Sequence, residues 1–382
     1  MSTLNEPLVS VVIPTLNEGG TIGECIGRVI TAYKIMGIDG EIIIADNSTD
    51  NTPNIAQSLG AKVVTPKKMG YGNAYREGFK HARGKYVVIL DGDLTYDPLE
   101  IPKFIKLLED GKADFVMGTR LKGDIKKGAM PPLHRYIGNP VLTWLLNVLF
   151  KAGISDSHCG MRAITRDALG ELDLQTSGME FASEMVIEAP RKGLKIAEVP
   201  ISYYPRKGVS KLSSFSDGWR HLRFMMLYRP VPFLNIPGII ALLLGLALII
   251  FIQIHGSSND IRMHSFILGS FLILIGYHTL LSGLYIDAFG KTYGVSEKVG
   301  YIKRLMDYHS LERELIIGSA LLLAGVILGI SVILDWWMVG YGSIQEVQKA
   351  IMAMVLSMLG IETIFSSIII SLLLLNRDLF II

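Results

Sequence analysis

Four apolar runs, at about residues 231–254, 264–289, 315–338 and 350–376, constrain this chain more than any other feature. Each is near or beyond the roughly 20 residues that a bilayer-spanning helix requires. They predict four transmembrane helices. Charge is distributed accordingly: residues 1–230 carry 29 Lys/Arg and 25 Asp/Glu, residues 231–382 only 8 and 10. Half of the 382 residues are hydrophobic and the mean hydropathy is +0.39, too apolar for an ordinary soluble protein. The connection 290–314 holds Lys291, Lys298, Lys303, Arg304 and Arg313, whereas 255–263 has only Arg262 and 339–349 only Lys349. Positive-inside bias therefore places 290–314 in the cytoplasm, and an even number of crossings puts residues 1–230 on the same side. The expectation is a multi-pass integral protein of the cytoplasmic membrane. The polar N-terminus leads directly into a strand, so no signal peptide is expected. Two cysteines, Cys25 and Cys159, do not suggest a disulfide framework. His278 and Glu362 lie at similar depths in the second and fourth runs, where ionisable groups need partners, so those helices are expected to touch there.

Residues 1–216 read as a domain of their own, and 217–230, with Trp219, Arg220, His221, Arg223 and Arg229, as an amphipathic helix at the membrane surface ahead of the transmembrane domain 231–382. Short apolar strands alternate with helical periodicity: 8–15, a helix carrying Ile22, Ile26, Val29, Ile30 and Tyr33, then 41–47, another helix, "KVVT", a helix near 73–83, and 85–91. Repeated β-α units build a mostly parallel sheet with helices on both faces. Ligands of such a sheet sit beyond the carboxyl ends of its strands. "PTLNEGG", "DNSTDNT" and "DGDLTYDP" mark three of those ends, and none carries a dinucleotide-binding or P-loop signature.

The strand "YVVIL" runs into Asp91 and Asp93, with Asp97 close behind. Asp97-Pro98-Leu99-Glu100 has the form of a helix start, so Asp97 reads as structural. Two carboxylates one residue apart at a buried strand end repel each other unless a cation or protons intervene. Hard oxygen ligands of this kind suit Mg²⁺ or Mn²⁺ bridging to a diphosphate, the alternative being a solvated turn. Pro131 to Phe150 fits either a buried helix or, through His134, Arg135 and Trp144, one lying at the lipid interface.

"VVIPTLNE", "ADNSTDNT", "GYGNAYREGFKHARGKYVVILDGDLTYDP" and "VMGTR" resemble the GT-A domain of glycosyltransferase family 2. "DSHCGMRAITRDAL", "GMEFASEMVIEA", "KIAEVPISYYPRKGVSKL" and "DGWRHLRFMMLY" are similar to its polyprenyl- and dolichyl-phosphate sugar synthase branch, over about residues 8–230. The resemblance implies an α/β GT-A fold with a mostly parallel sheet. It also implies a nucleotide-sugar donor near Pro14, Asn17, Glu18 and Asp46, with a metal on its diphosphate held by Asp91 and Asp93. Arg120 would assist with phosphate charge, and Glu184 would be an acid near the reacting centre. Arg135, Arg206 and Lys211 would receive the acceptor phosphate. Mannose synthases of the branch carry glutamine where this chain has Thr95, a weaker neutral ligand. Taken singly, each of Arg120, Arg206 and Lys211 also suits an ordinary surface position.

A phosphate acceptor is already anionic near neutral pH, so the expected reaction needs electrostatic screening more than a strong base. It is inverting, metal-dependent transfer of a hexose, of the UDP-glucose or GDP-mannose type, to a polyprenyl phosphate. The competing readings are a membrane polysaccharide synthase, whose Q-x-x-R-W motif is absent, and a non-enzymatic sugar-lipid transporter or scaffold. No nucleic-acid partner is expected, and a homo-oligomer is left open.

Overall fold

The computed structural model describes residues 6–207, 214–255, 260–292, 308–342 and 346–379. The chain forms two compact units, Met1–Leu222 and Arg223–Ile382, the division falling within the helix Ser214–Tyr228.

The first unit is built on a seven-stranded sheet. In chain order its elements are β1 (Val9–Thr15), α1 (Ile22–Met36), β2 (Gly40–Asp46), α2 (Thr52–Ser58), β3 (Lys62–Val64), α3 (Tyr71–His81) and β4 (Tyr86–Ile89). Then follow α4 (Ile101–Glu109), β5 (Phe115–Ile125), α5 (Asn139–Phe150), β6 (Arg162–Thr165), α6 (Arg166–Glu171), α7 (Phe181–Arg191) and β7 (Ile196–Tyr203). The strand order is β3-β2-β1-β4-β6-β5-β7, parallel throughout except that β6 runs antiparallel to both β4 and β5. Because β6 is reversed, the segment entering it arrives at the same edge where β4 leaves; Ile89 faces Arg162 in the register. That edge carries the site.

The apolar stripe of α1 buries Ile22, Cys25, Ile26, Val29 and Tyr33 in one core cluster with Val9, Val11 and Ile13 of β1, while Ile30 is half-buried beside them. Each such Ile or Val contributes about 1.5–3 kcal/mol on burial, which is why helical spacing alone located this helix. Asp97 does start a helix: its carboxylate accepts from Leu99 N at 3.1 Å, capping the 3₁₀ turn Pro98–Glu100 that runs on into α4.

Among the described residues of the second unit, four helices have segments long and apolar enough to cross a membrane: Val231–Ile254, Met263–Gly290, Glu312–Met338 and Val347–Leu373. Glycines set their closest approaches. A Cβ on Gly245 of the first would stand 2.5 Å from Gly269 O of the second, and one on Gly360 of the fourth would stand 2.4 Å from Leu322 N of the third. With no hydrophobic drive between helices in lipid, such small-residue contacts let backbones pack closely. The second and fourth spanning helices meet where the ionisable residues lie: His278 Nδ1 is 3.5 Å from Glu362 Oε1, and Tyr277 Oη is 2.6 Å from Thr363 Oγ1.

Candidate active site

Parallel pairing of β1 and β2 sets Pro14 opposite Ala45 and Thr15 opposite Asp46, so the loops leaving these strands lie side by side. Side chains tie them together. Asp46 Oδ1 accepts from Thr15 Oγ1 at 2.6 Å and from Ser48 Oγ at 2.5 Å, while Oδ2 accepts from Ser48 N at 3.1 Å. Asn17, at φ +54°, donates its N–H to Ser48 Oγ, and its Oδ1 accepts from Thr49 N at 2.8 Å and Asp50 N at 3.3 Å. Asparagine tolerates this left-handed backbone better than most residues. Glu18 N donates to Thr52 Oγ1 at 3.0 Å. The structure thus brings Pro14, Asn17, Glu18 and Asp46 to one edge, and shows Asn17 and Asp46 holding the two loops to each other.

Asp91 is reached from α3. Tyr71 and Tyr75, one helical turn apart, donate their hydroxyls to Asp91 Oδ1 at 3.0 and 3.3 Å. Burial, and next the charge of Asp91, hold the Tyr71 phenol well above its ordinary range; for Tyr75, burial and then Tyr71 precede Asp91 as causes. Both stay protonated donors. Burial, reinforced by the charge of Asp93, raises Asp91 itself to about 6. Asp93 Oδ1 accepts from Thr95 N at 3.0 Å and Thr95 Oγ1 at 2.6 Å, so the threonine orients Asp93. In each aspartate these protein donors occupy Oδ1. A Cβ at position 160 would stand 2.5 Å from Asp91 Oδ2, so Gly160 keeps the space beside that oxygen. Two carboxylates at one strand end, each with Oδ2 outside these donor contacts, and Asp93 raising the cost of ionising Asp91, form a donor set that fits a divalent cation.

Arg206 reaches the same edge. β7 runs parallel to β5, which delivers the segment after Tyr203 to the same edge. There Arg206 Nη2 donates to Glu18 Oε1 at 2.8 Å, and Nε lies 3.5 Å from Asp93 Oδ2. Its guanidinium thus pairs with the carboxylates of Glu18 and Asp93. Arg135 sits on the turn His134–Gly138 with its guanidinium 5.4 Å over the Tyr136 ring. Among the described residues no hydrogen bond or ion pair joins Arg135 to Arg206, and Lys211 lies outside the described residues.

Arg120 and Glu184 both have partners within the protein. Arg120 is buried and bidentate on Asp156, with Nε 2.7 Å from Oδ2 and Nη2 2.8 Å from Oδ1, and its guanidinium lies 5.1 Å from the Tyr203 ring centre. Burial opposes the charge on Asp156, but the Arg120 charge and hydrogen bonds outweigh it and hold the carboxyl below its ordinary range. The pair pins β5 to the loop before β6. Glu184 Oε1 accepts from Gln175 N at 2.8 Å, and Oε2 from Thr176 N at 3.0 Å and Thr176 Oγ1 at 2.5 Å. Next to that loop, Ser177 O accepts from Gly72 N at 3.0 Å, and Phe181 stacks on Tyr75 at 5.4 Å. Glu184 therefore positions the start of α3, and through it the tyrosines that hold Asp91.

Three further contributors lay hidden in the sequence. Tyr71 and Tyr75 have the i, i+4 spacing of one helix face, a signal visible in "GYGNAY" once α3 is placed. Arg162, 2% exposed, donates to three carbonyls, Cys159 O at 2.9 Å, Ala182 O at 2.8 Å and Ser157 O at 3.0 Å, and so shapes the loop beside Asp91. Burial pushes the thiols of Cys25 and Cys159 up to about 12, which makes both inert.

The turn ahead of α5 and α5 itself expose a run of apolar side chains, Leu133, Tyr136, Ile137, Val141, Trp144 and Val148, while Thr143, Leu146, Leu149 and Phe150 face inward. Of the two expectations for Pro131 to Phe150, the structure supports an amphipathic helix with one apolar face uncovered in its own unit.

Residues 10–173 match the model of the family described as Glycosyl transferase family 2, and residues 284–374 match the Glycosyltransferase family 2 C-terminal transmembrane region. The low-salt glycan biosynthesis hexosyltransferase Agl6 of Haloferax volcanii is 42% identical over 366 residues, 94% of this chain and 88% of that protein. The dolichyl-phosphate hexose transferase of the same organism is 36% identical over 212 residues, 55% of this chain and 89% of that protein. Among solved structures, glucosyl-3-phosphoglycerate synthase from Mycobacterium tuberculosis, in complex with Mn²⁺, uridine diphosphate and glucosyl-3-phosphoglycerate, is 23% identical with a TM-score of 0.48, covering 58% of this chain and 79% of that one. With a GT-A sheet, four apolar helices and a relative of this similarity along nearly its whole length, the chain belongs to glycosyltransferase family 2 and is a multi-pass membrane glycosyltransferase.

Proposed function

We propose that this enzyme transfers a hexose from a nucleotide sugar, of the UDP-glucose or GDP-mannose type, to a polyprenyl (dolichyl) phosphate with inversion, its catalytic unit lying on the cytoplasmic side of the cytoplasmic membrane. The observation that carries the reading is the Asp91–Asp93 pair with both Oδ2 atoms outside the Tyr71, Tyr75 and Thr95 contacts. Asp91 and Asp93 would hold Mg²⁺ or Mn²⁺, which when bound neutralises the donor diphosphate. The knitted loops of Asn17 and Asp46 present the nucleoside side of the site, with Pro14 and Glu18 beside them. A dolichyl-phosphate hexose transferase among the relatives, together with the uncovered apolar side chains from Leu133 to Val148, supports an acceptor held at a lipid surface.

Arg206 then has a charge to give up. The donor's cation would compete with the guanidinium for Asp93, leaving Arg206, with Arg135 and Lys211, to meet the incoming phosphate. Arg206→Ala is expected to lower turnover on polyprenyl phosphate about 10²–10³-fold, the usual effect of one preorganised electrostatic contact. The measurement offers purified protein each candidate donor with polyprenyl phosphate, polyprenol or an oligosaccharide and follows nucleoside diphosphate release. Transfer to polyprenol or oligosaccharide with none to the phosphate would overturn the reading, the second outcome pointing to a polysaccharide synthase.

Acidity provides a separate check. The Asp91 carboxyl titrates near 6 in the folded chain, against about 3.9 when unfolded. The folded state therefore binds that proton more tightly, and the metal-free chain loses stability as pH rises from about 4 through 6. A divalent cation needs the ionised form, so its stabilisation grows over the same interval. Melting with and without excess Mn²⁺ should show a larger upward shift at pH 7.5 than at pH 5; a cation at 100-fold its Kd adds about 2.7 kcal/mol. Equal shifts at both pH values would remove Asp91 from the metal site.

A further inference from the structure

His278 lies in the middle of the second spanning helix, yet its imidazole is 68% exposed and its ion-pair partner Glu362, on the fourth helix, is 24% exposed. Their neighbours on the same surface are apolar: Leu268, Phe271 and Ile275 precede His278 at three- and four-residue spacings, all exposed, and Phe365 stands exposed one turn from Glu362. Leucine, isoleucine and phenylalanine suit hydrocarbon. A histidine–glutamate pair at that depth does not: ionisable groups inside a bilayer face protein or water and find partners.

We propose that this face, centred on His278 and Glu362, is the interface between two copies of the chain in the membrane. A twofold axis along the membrane normal brings each residue to the level of its own counterpart, so a polar pair at mid-depth necessarily meets a polar pair at mid-depth. Two imidazoles and two carboxylates then share their protons and acceptors away from lipid. An unrelated helix would need a complementary polar group at the same depth, and lipid tails supply none. One polar position within an otherwise apolar stripe is also the device that fixes register between paired helices.

The test uses the full chain in membranes and in polymer-bounded discs cut directly from them. Single cysteines replace Leu268, Phe271 or Ile275, and, as controls, Ile273 or Leu281, which are buried inside the bundle. The native thiols Cys25 and Cys159 are buried and stay in place. Oxidative crosslinking to a species of twice the chain mass at the three exposed positions and not at the controls is the expected result, with wild-type discs holding two copies. His278→Leu should lower the two-copy fraction about tenfold, the equivalent of about 1.4 kcal/mol, within the range of interhelical polar contacts. Because the crosslinking scan keeps His278 and Glu362, it stands even if that variant folds poorly. Single copies in wild-type discs, or crosslinks only to a different protein, would overturn the proposal.

Discussion

Asp93→Ala is expected to abolish glycosyl transfer, by at least about 10²–10³-fold, while the chain still folds. The loss of rate follows from removing one of two carboxylates that would hold the cation, since a preorganised electrostatic contact at a reacting centre is worth about 2.7–4 kcal/mol. The fold tolerates the change for a specific reason. Asp93 raises the cost of ionising buried Asp91, so its removal relieves repulsion. That gain offsets the lost acceptor for the Thr95 amide and hydroxyl. Arg206 keeps its bond to Glu18. Asp97→Ala, four residues on, should behave in the opposite way: it loses the cap on Leu99 N and a half-exposed ion pair with Arg28, costs about 0.5–2 kcal/mol, and leaves turnover near wild type. Assays of transfer and melting on both variants check the pair of outcomes. Full activity of Asp93→Ala in chelator, or a stable but inactive Asp97→Ala, would remove the metal role from this strand end.

Arg120→Ala is expected to produce the largest loss of stability in the catalytic unit, about 3–5 kcal/mol, because it strands the Asp156 carboxylate in a site where that side chain is 0% exposed. A loss of that size is a large share of the 5–15 kcal/mol that holds a typical domain folded. Replacing both partners with apolar side chains of similar volume, Arg120→Met with Asp156→Leu, should recover most of it, since buried ion pairs are costly to break and cheap to substitute whole. Soluble yield and melting temperature report the effect. A refolded double variant that transfers sugar normally would confirm Arg120 as a scaffold residue, and one that folds but is inactive would return it to the chemistry. Wild-type melting of Arg120→Ala alone would contradict the structural role.

Much of the fold was legible because it is written in local periodicity. The apolar stripe from Ile22 to Tyr33 and the strands ending at Thr15, Asp46 and Ile89 lie within a residue or two of their expected places. Both kinds of element announce themselves through the spacing of side chains that must leave water. Asp91 and Asp93 were recognisable for the same kind of reason, as charge where a buried strand ends. The functions expected of Arg120, Glu184 and Arg206 were less legible, because a charged side chain is defined by its partner. Those partners lie 36, 8–9 and 188 residues away at Asp156, the 175–176 loop and Glu18.

The sequence by itself determined the partition between an aqueous α/β unit and four membrane-spanning helices, the identity of the acidic strand end, and the depth at which His278 and Glu362 meet. These follow from transfer free energies and from rise per residue, which are additive along a chain. Only the tertiary structure decided that β6 runs antiparallel between β4 and β5, and so that Gly160 and Arg162 stand beside Asp91. It also decided that Tyr71 and Tyr75 hold that carboxylate and that Arg206 reaches Asp93. Strand order and direction depend on how whole faces pack against one another, and no single residue spacing encodes them; hydrogen-bond and charge partners across the sheet edge are settled only once that packing is complete.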